Sequence, residues 1–223
     1  YLYGRGYDLN FIKIYGLGFA PKNGEMFLKA MQEQKIDEKT LFLTGLLKKS
    51  QYGKTYPFFT DRITIPINDN FSSVIGFSSR KFKEDTFGPK YINSPETYLF
   101  KKSKMLFGMS YSRKKIAKQK KAILVEGQFD ALSLIYYGFG ITVASQGTAF
   151  GNYHAKQLVD LGINKVYIAF DSDTAGIEAA VKIGHMFQKM SIEAYITKMP
   201  PGKDPDSILK EGKKKELISL FEQ

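Results

Sequence analysis

The chain has 223 residues, 33 Lys+Arg against 22 Asp+Glu for a formal net charge of +11, 43% hydrophobic residues and no Cys. Its length is ample for a buried core, in one large domain or two small ones, and the lack of Cys excludes disulfides and thiolate metal sites. No apolar run reaches the length of a bilayer span and no signal peptide is visible, so a membrane role is not expected.

The charge is uneven. Residues 1–118 hold 21 Lys+Arg and 10 Asp+Glu, whereas residues 119–223 hold 12 of each, so the whole excess lies in the first half. A basic face beside a neutral half suits a protein that handles polyanions, although Lys-rich surfaces are often only solvated. This divides the chain into a basic α+β part, residues 1–118, a parallel-sheet part, residues 119–200, and the start of a helical part, residues 201–223. The first residue is Tyr, so the chain reads as a fragment.

In chain order, Leu9, Phe11, Ile12 and Tyr15 share one face of a short helix ended by Gly16. Helices are expected over Phe27–Gln34 and Glu38–Leu47. Ile63–Ile67 alternates, turns at Asn68-Asp69-Asn70 and returns over Val74–Ser78 as a hairpin. Gly88-Pro89-Lys90-Tyr91-Ile92-Asn93-Ser94-Pro95-Glu96 has the breakers of a long loop and offers a cation, an aromatic ring and an amide. Residues 101–121 contain nine Lys or Arg. From Ala122 the pattern is βαβαβαβ, with strands near 122–125, 141–144, 166–170 and 193–197, which predicts a parallel sheet. Gly147-Thr148-Ala149 after the second strand would permit close approach of a phosphate. His154 reads as a polar residue at a helix start. A helix is expected over Ser207–Leu220.

Two strands end in acids: Ala-Ile-Leu-Val-Glu126-Gly-Gln-Phe-Asp130, and Val-Tyr-Ile-Ala-Phe-Asp171-Ser-Asp173-Thr-Ala-Gly176. In an open parallel sheet the carboxyl ends of the strands face the ligand. Glu126 and Asp130 lie one helical turn apart, and Asp171 and Asp173 alternate around Ser172. Such carboxylates repel one another unless a cation joins them, and oxygen-only ligands favour Mg²⁺ or Mn²⁺ over zinc. The implied chemistry is phosphoryl transfer. Asp173 could instead be a helix cap, and periodicity favours the same for Asp204 and Asp206 ahead of Ser207.

Glu126 to Asp130, followed 41 residues later by Asp171-Ser172-Asp173, resembles the TOPRIM domain of primases, topoisomerases and some nucleases. Tyr15-Gly16-Leu17-Gly18-Phe19-Ala20-Pro21, Asp61-Arg62-Ile63, Lys90-Tyr91-Ile92-Asn93-Ser94-Pro95-Glu96-Thr97 and Lys203-Asp204-Pro205-Asp206 narrow the resemblance to the catalytic core of bacterial DnaG-type primases. The resemblance implies an α/β fold with a Rossmann-like TOPRIM sheet. It implies metal held by Glu126, Asp171 and Asp173, as two Mg²⁺ or Mn²⁺ ions, with Asp130, Asp204 and Asp206 completing the acidic site. Arg62, Arg80, Lys90, Tyr91 and Asn93 would handle the template strand and nucleotides. Ser78-Ser79-Arg80 stands where the family usually has Gly-Gly-Arg, and Asn68 replaces a frequent Arg. The implied activity is DNA-dependent RNA primer synthesis from ribonucleoside triphosphates on single-stranded DNA in the bacterial cytoplasm. Zinc is expected only in an upstream module, and the replicative helicase would bind through a downstream domain. A TOPRIM nuclease or topoisomerase, or a non-catalytic DNA-binding module, are the alternatives.

Overall fold

In the computed structural model, which describes residues 1–146 and 150–222, a 3₁₀ turn at Tyr3–Arg5 leads into helix α1 (Leu9–Ile14). Asp8 starts α1 by accepting from the Phe11 amide at 2.7 Å, which satisfies one of the unpaired donors of the first turn. Strand β1 (Gly18–Ala20), helix α2 (Gly24–Glu33) and helix α3 (Glu38–Leu43) follow. α3 stops four residues before its expected end. Gly45 takes φ +72°, and a Cβ there would lie 2.6 Å from Pro95. Leu47–Lys49 then forms β2, antiparallel to β3 (Thr55–Pro57).

The expected hairpin is present as β4 (Arg62–Asn68) and β5 (Val74–Lys81). Where an open loop was anticipated, Tyr91–Asn93 forms β6 on the free edge of β5, giving the order β1-β4-β5-β6. Direct cross-strand partners share a face, so Ile63, Ile65 and Ile67 lie opposite Arg80, Ser78 and Gly76. All three isoleucines are buried.

A second unit gathers residues 70–72 and the chain from Lys102 onward. The charge pattern set a division after 118; packing sets it after 101. Helix α4 (Met109–Gln119) explains the difference, because Met109, Ser112 and Ile116 are buried at helical spacing. The Ser112 hydroxyl donates to the Thr142 carbonyl at 2.7 Å. Strands β7 (Lys121–Val125), β8 (Thr142–Ala144), β9 (Lys165–Ile168) and β10 (Glu193–Ile196) alternate with α5 (Gln128–Tyr136), α6 (Asn152–Val159) and α7 (Thr174–Gln188). They form a parallel sheet in the order β10-β9-β7-β8. Ala122 to Val125 are buried, which is why β7 reads as an unbroken apolar run. The single helix expected over 207–220 is two, α8 (Pro205–Lys210) and α9 (Lys214–Glu222), broken at Gly212 with φ +74°. Both belong to the second unit, with Ile208, Leu209, Leu217 and Phe221 buried. Gly147, Thr148 and Ala149, singled out as a phosphate approach, lie outside the described residues.

Candidate active site

Parallel register builds the acidic edge. Leu124 pairs with Ile168, and Ile168 with Ile196, so the chain leaves β7, β9 and β10 along one line. Glu126 follows β7 and Asp171 follows β9. Glu126 Oε1 accepts from the Asp171 amide at 3.0 Å, which ties the two strand ends together. Asp173 caps α7, accepting from the Gly176 amide at 2.7 Å. Space at this corner is short: a Cβ on Gly176 would stand 2.4 Å from the Asp171 carbonyl and 2.9 Å from Glu126 Oε1. Asp204 caps α8 through the Ser207 amide at 2.6 Å. With Asp171, Ser172, Asp173, Gly202 and Lys203 it walls a cavity of ≈ 270 Å³. Asp130 Oδ2 accepts from the Gly127 amide at 3.2 Å.

Electrostatics bind these residues together. Burial pushes the Glu126 carboxyl above its usual value; the Asp171 amide opposes this, while the charges of Asp171 and Asp173 add to it. Asp130 is raised well above the ordinary range, first by burial and then by Asp204, Asp206 and Asp171. Asp206 is placed differently. It is 5% exposed, accepts from the Ser133 hydroxyl of α5 through one oxygen and from Lys210 through the other, so it fastens α8 to α5.

The first unit holds the predicted basic residues. Arg80 and Tyr91 are cross-strand partners on β5 and β6, and Asn93 faces Ser78. The Arg80 guanidinium lies 5.0 Å from the centre of the Tyr1 ring and 6.0 Å from that of Tyr91, within range of cation–π attraction. Lys90 Nζ is 5.8 Å from the Tyr91 ring. Burial raises the Tyr91 phenol, and Arg80 partly offsets it. Arg62 does not join this face: it is 3% exposed and donates to the Phe87 and Pro89 carbonyls at 2.8 and 2.9 Å. It holds the loop from inside.

Two family models cover most of the chain. Residues 1–113 match the N-terminal domain of the DNA primase catalytic core, and residues 123–209 match a Toprim-like domain. The chain belongs to the DnaG-type DNA primases. The DNA primase of Chlamydia pneumoniae is 46% identical over the whole chain, and that of Streptomyces coelicolor 36% identical over 92% of it. The chain spans only 37% and 32% of those two relatives. The RNA polymerase domain of Mycobacterium tuberculosis DnaG superposes with a TM-score of 0.89 at 32% identity, covering 99% of this chain and 73% of that one. The Aquifex aeolicus primase, comprising zinc-binding and RNA polymerase domains, gives 0.90 at 36% identity, covering 100% and 54%.

Against the metal that primases and Toprim domains generally use, the donor set fits in kind. Glu126, Asp171 and Asp173 are oxygen donors whose charges repel, which suits a hard divalent cation. Among the described residues no three Asp, Glu, His or Cys side chains are grouped tightly enough to hold an ion by themselves. Water or phosphate oxygens would have to complete the shell, as is usual for Mg²⁺. Asp206 fits less well, since both its oxygens are engaged. Sequence reading missed Ser133, whose partner Asp206 lies on another helix, Lys210, which meets the same Asp206 one turn along α8, and Ser172, whose hydroxyl accepts from the Gly202 amide at 3.0 Å. His154 is the buried helix-start residue expected, accepting from the Gly151 amide at 3.1 Å.

Proposed function

We propose that this chain is the nucleotidyl-transfer core of a primase, joining ribonucleoside triphosphates into short RNA primers on single-stranded DNA during chromosome replication in the bacterial cytoplasm. The observation that carries the reading is the acidic edge, where Glu126 and Asp171 are hydrogen-bonded across two parallel strand ends. Two Mg²⁺ or Mn²⁺ ions would supply Lewis-acid neutralisation of phosphate charge there. Glu126, Asp171 and Asp173 would hold them, with Asp204 beside the same cavity. Glu126 also orients the backbone that presents Asp171. Asp130, reluctant to ionise alone, would release its proton when positive charge arrives.

Arg80, Lys90, Tyr91 and Asn93 would meet the phosphates and bases of the template or nucleotide, with Arg62 keeping Lys90 in place. A solved DnaG primase catalytic domain bound to ssDNA supports the template assignment. An upstream zinc-binding module and a downstream helicase-binding domain belong to the same reading. The nuclease or topoisomerase alternative is disfavoured because the match over residues 1–113 is to a primase domain.

The test is primer synthesis with labelled ribonucleotides, single-stranded DNA and Mg²⁺ or Mn²⁺. The wild type should make short RNA, and Glu126→Ala and Asp171→Ala should each lose at least about 10²-fold in rate, the scale of a lost transition-state charge contact. DNA cleavage in place of synthesis would hand the site to the nuclease reading.

A further inference from the structure

Among the described residues, Phe87 in the loop between β5 and β6 has the most exposed large apolar side chain, at 96%. On a loose loop that would mean little, but this loop is fastened from below. Its base is closed by the Lys81 amide, which donates to the Lys90 carbonyl at 2.9 Å. Asp61 holds the first half: its carbonyl accepts from the Phe82 amide at 3.2 Å and its Oδ2 from the Thr86 hydroxyl at 2.8 Å. Asp61 does this with its own backbone at φ +54°, a conformation that costs an L-residue free energy. Arg62 holds the second half through the Phe87 and Pro89 carbonyls. Thr86 is buried and Gly88 turns the chain at φ +88°, so the backbone is pinned on either side of Phe87 while its ring is left in water. The other phenylalanine of the loop has a partner in the protein, since Phe82 meets Phe19 edge-on with ring centres 4.9 Å apart.

We infer that Phe87 is a stacking platform for one unpaired base of the single-stranded template, a role that rests on the nucleotidyl-transfer reading. Lys90 and Tyr91 follow it in the chain, and Arg80 stands opposite Tyr91 on β5. Rings interleaved with cations are what surfaces for single strands use. Within residues 81–90, Lys81, Lys83 and Lys90 are set against Glu84 and Asp85. The loop therefore attracts a polyanion only weakly, and its hold on a strand must come mainly from the ring. Stacking engages the face of a base and leaves its pairing edge free, so a template base held here can still be read. Every base has such a face, as copying any sequence requires.

The chain contains no Trp, so Phe87→Trp places a single indole at the site. Its emission should be quenched when a single-stranded oligonucleotide binds, and not when an abasic strand of the same length binds. In anisotropy titrations of a labelled oligonucleotide, Phe87→Ala should weaken binding roughly fivefold to a hundredfold, the scale of one base stacked on an aromatic ring. The salt slope should stay as in wild type, because no phosphate contact is lost. Phe87→Trp should bind at least as tightly as wild type, and the alanine loss should vanish on the abasic strand. Bound DNA that leaves the Trp emission unchanged, or that holds Phe87→Ala as tightly as wild type, overturns the platform. An equal alanine loss on the abasic strand also overturns it, since the ring would then shape the loop and not stack. A wild-type chain that binds no single-stranded DNA overturns the template reading itself, a separate failure.

Discussion

Asp130 is the side chain whose charge the fold resists most clearly, through burial and through Asp204, Asp206 and Asp171. An acid with a higher proton affinity folded than unfolded costs nothing below its unfolded pKa, where both states are protonated. The cost grows as pH rises towards the folded pKa and is complete above it. Asp130→Asn should therefore stabilise the metal-free protein at neutral pH and change little near pH ~3. In thermal melts with chelator, each 1 kcal/mol relieved would raise Tm by about 2–4 °C. Mg²⁺ should narrow the gap by stabilising the wild type more. A variant with lower Tm at neutral pH would contradict the repulsion. Arg62 makes the opposite case: its Nη2 alone donates to both the Phe87 and Pro89 carbonyls, and at 3% exposure the more strongly hydrated ammonium of Lys would cost more to bury there. Arg62→Lys should cost about 1–3 kcal/mol, with hydrogen exchange speeding up in residues 84–90. Its role could not be read from Asp-Arg-Ile alone, because a basic residue on a strand looks the same whether it faces a groove or a loop carbonyl.

At the scale of elements, the corner between β9 and α7 is the tightest part of the site. Gly176→Ala would drive a methyl into the Asp171 carbonyl and Glu126 Oε1, and its effect on primer synthesis should exceed its effect on Tm. Equal loss of both would mean that the corner serves stability only. The loop carrying Asp204 has its own tether, for the Glu211 carboxylate accepts from Lys203 and Lys213 and is held down to about 2. Strands β7 and β9 were legible because buried parallel strands are uniformly apolar and end where acids begin. β6 was not, since three residues between Gly-Pro and Ser-Pro breakers carry no periodicity. The α8–α9 break was hidden as well, because apolar spacing resumes after Gly212. α4 was assigned by its charge, although Met109, Ser112 and Ile116 carry the burying pattern that places it in the second unit.

For the molecule as a whole, the basic excess is shared once α4 is counted with the sheet it covers, so both units present cations. Binding to single-stranded DNA should fall steeply with salt, by roughly 300-fold from about 50 to 200 mM if six phosphates are engaged. Lys90→Ala should flatten that slope by about 0.7 of a unit, the share of one phosphate contact on a single strand. A slope that does not change would remove Lys90 from the phosphate track. The carboxylates of the proposed site are scattered along the sequence, at 126, 171 and 204, and the bond that seats α8 joins Ser133 to Asp206 across 73 positions. For a chain leaving the ribosome, this fixes an order of assembly. A nascent polypeptide released only as far as β10 can already pair the strand ends at 126 and 171, yet it lacks Asp204 and the anchor that sets it. The charge crowding around Asp130 would therefore be switched on last, after the sheet that must bear it has closed.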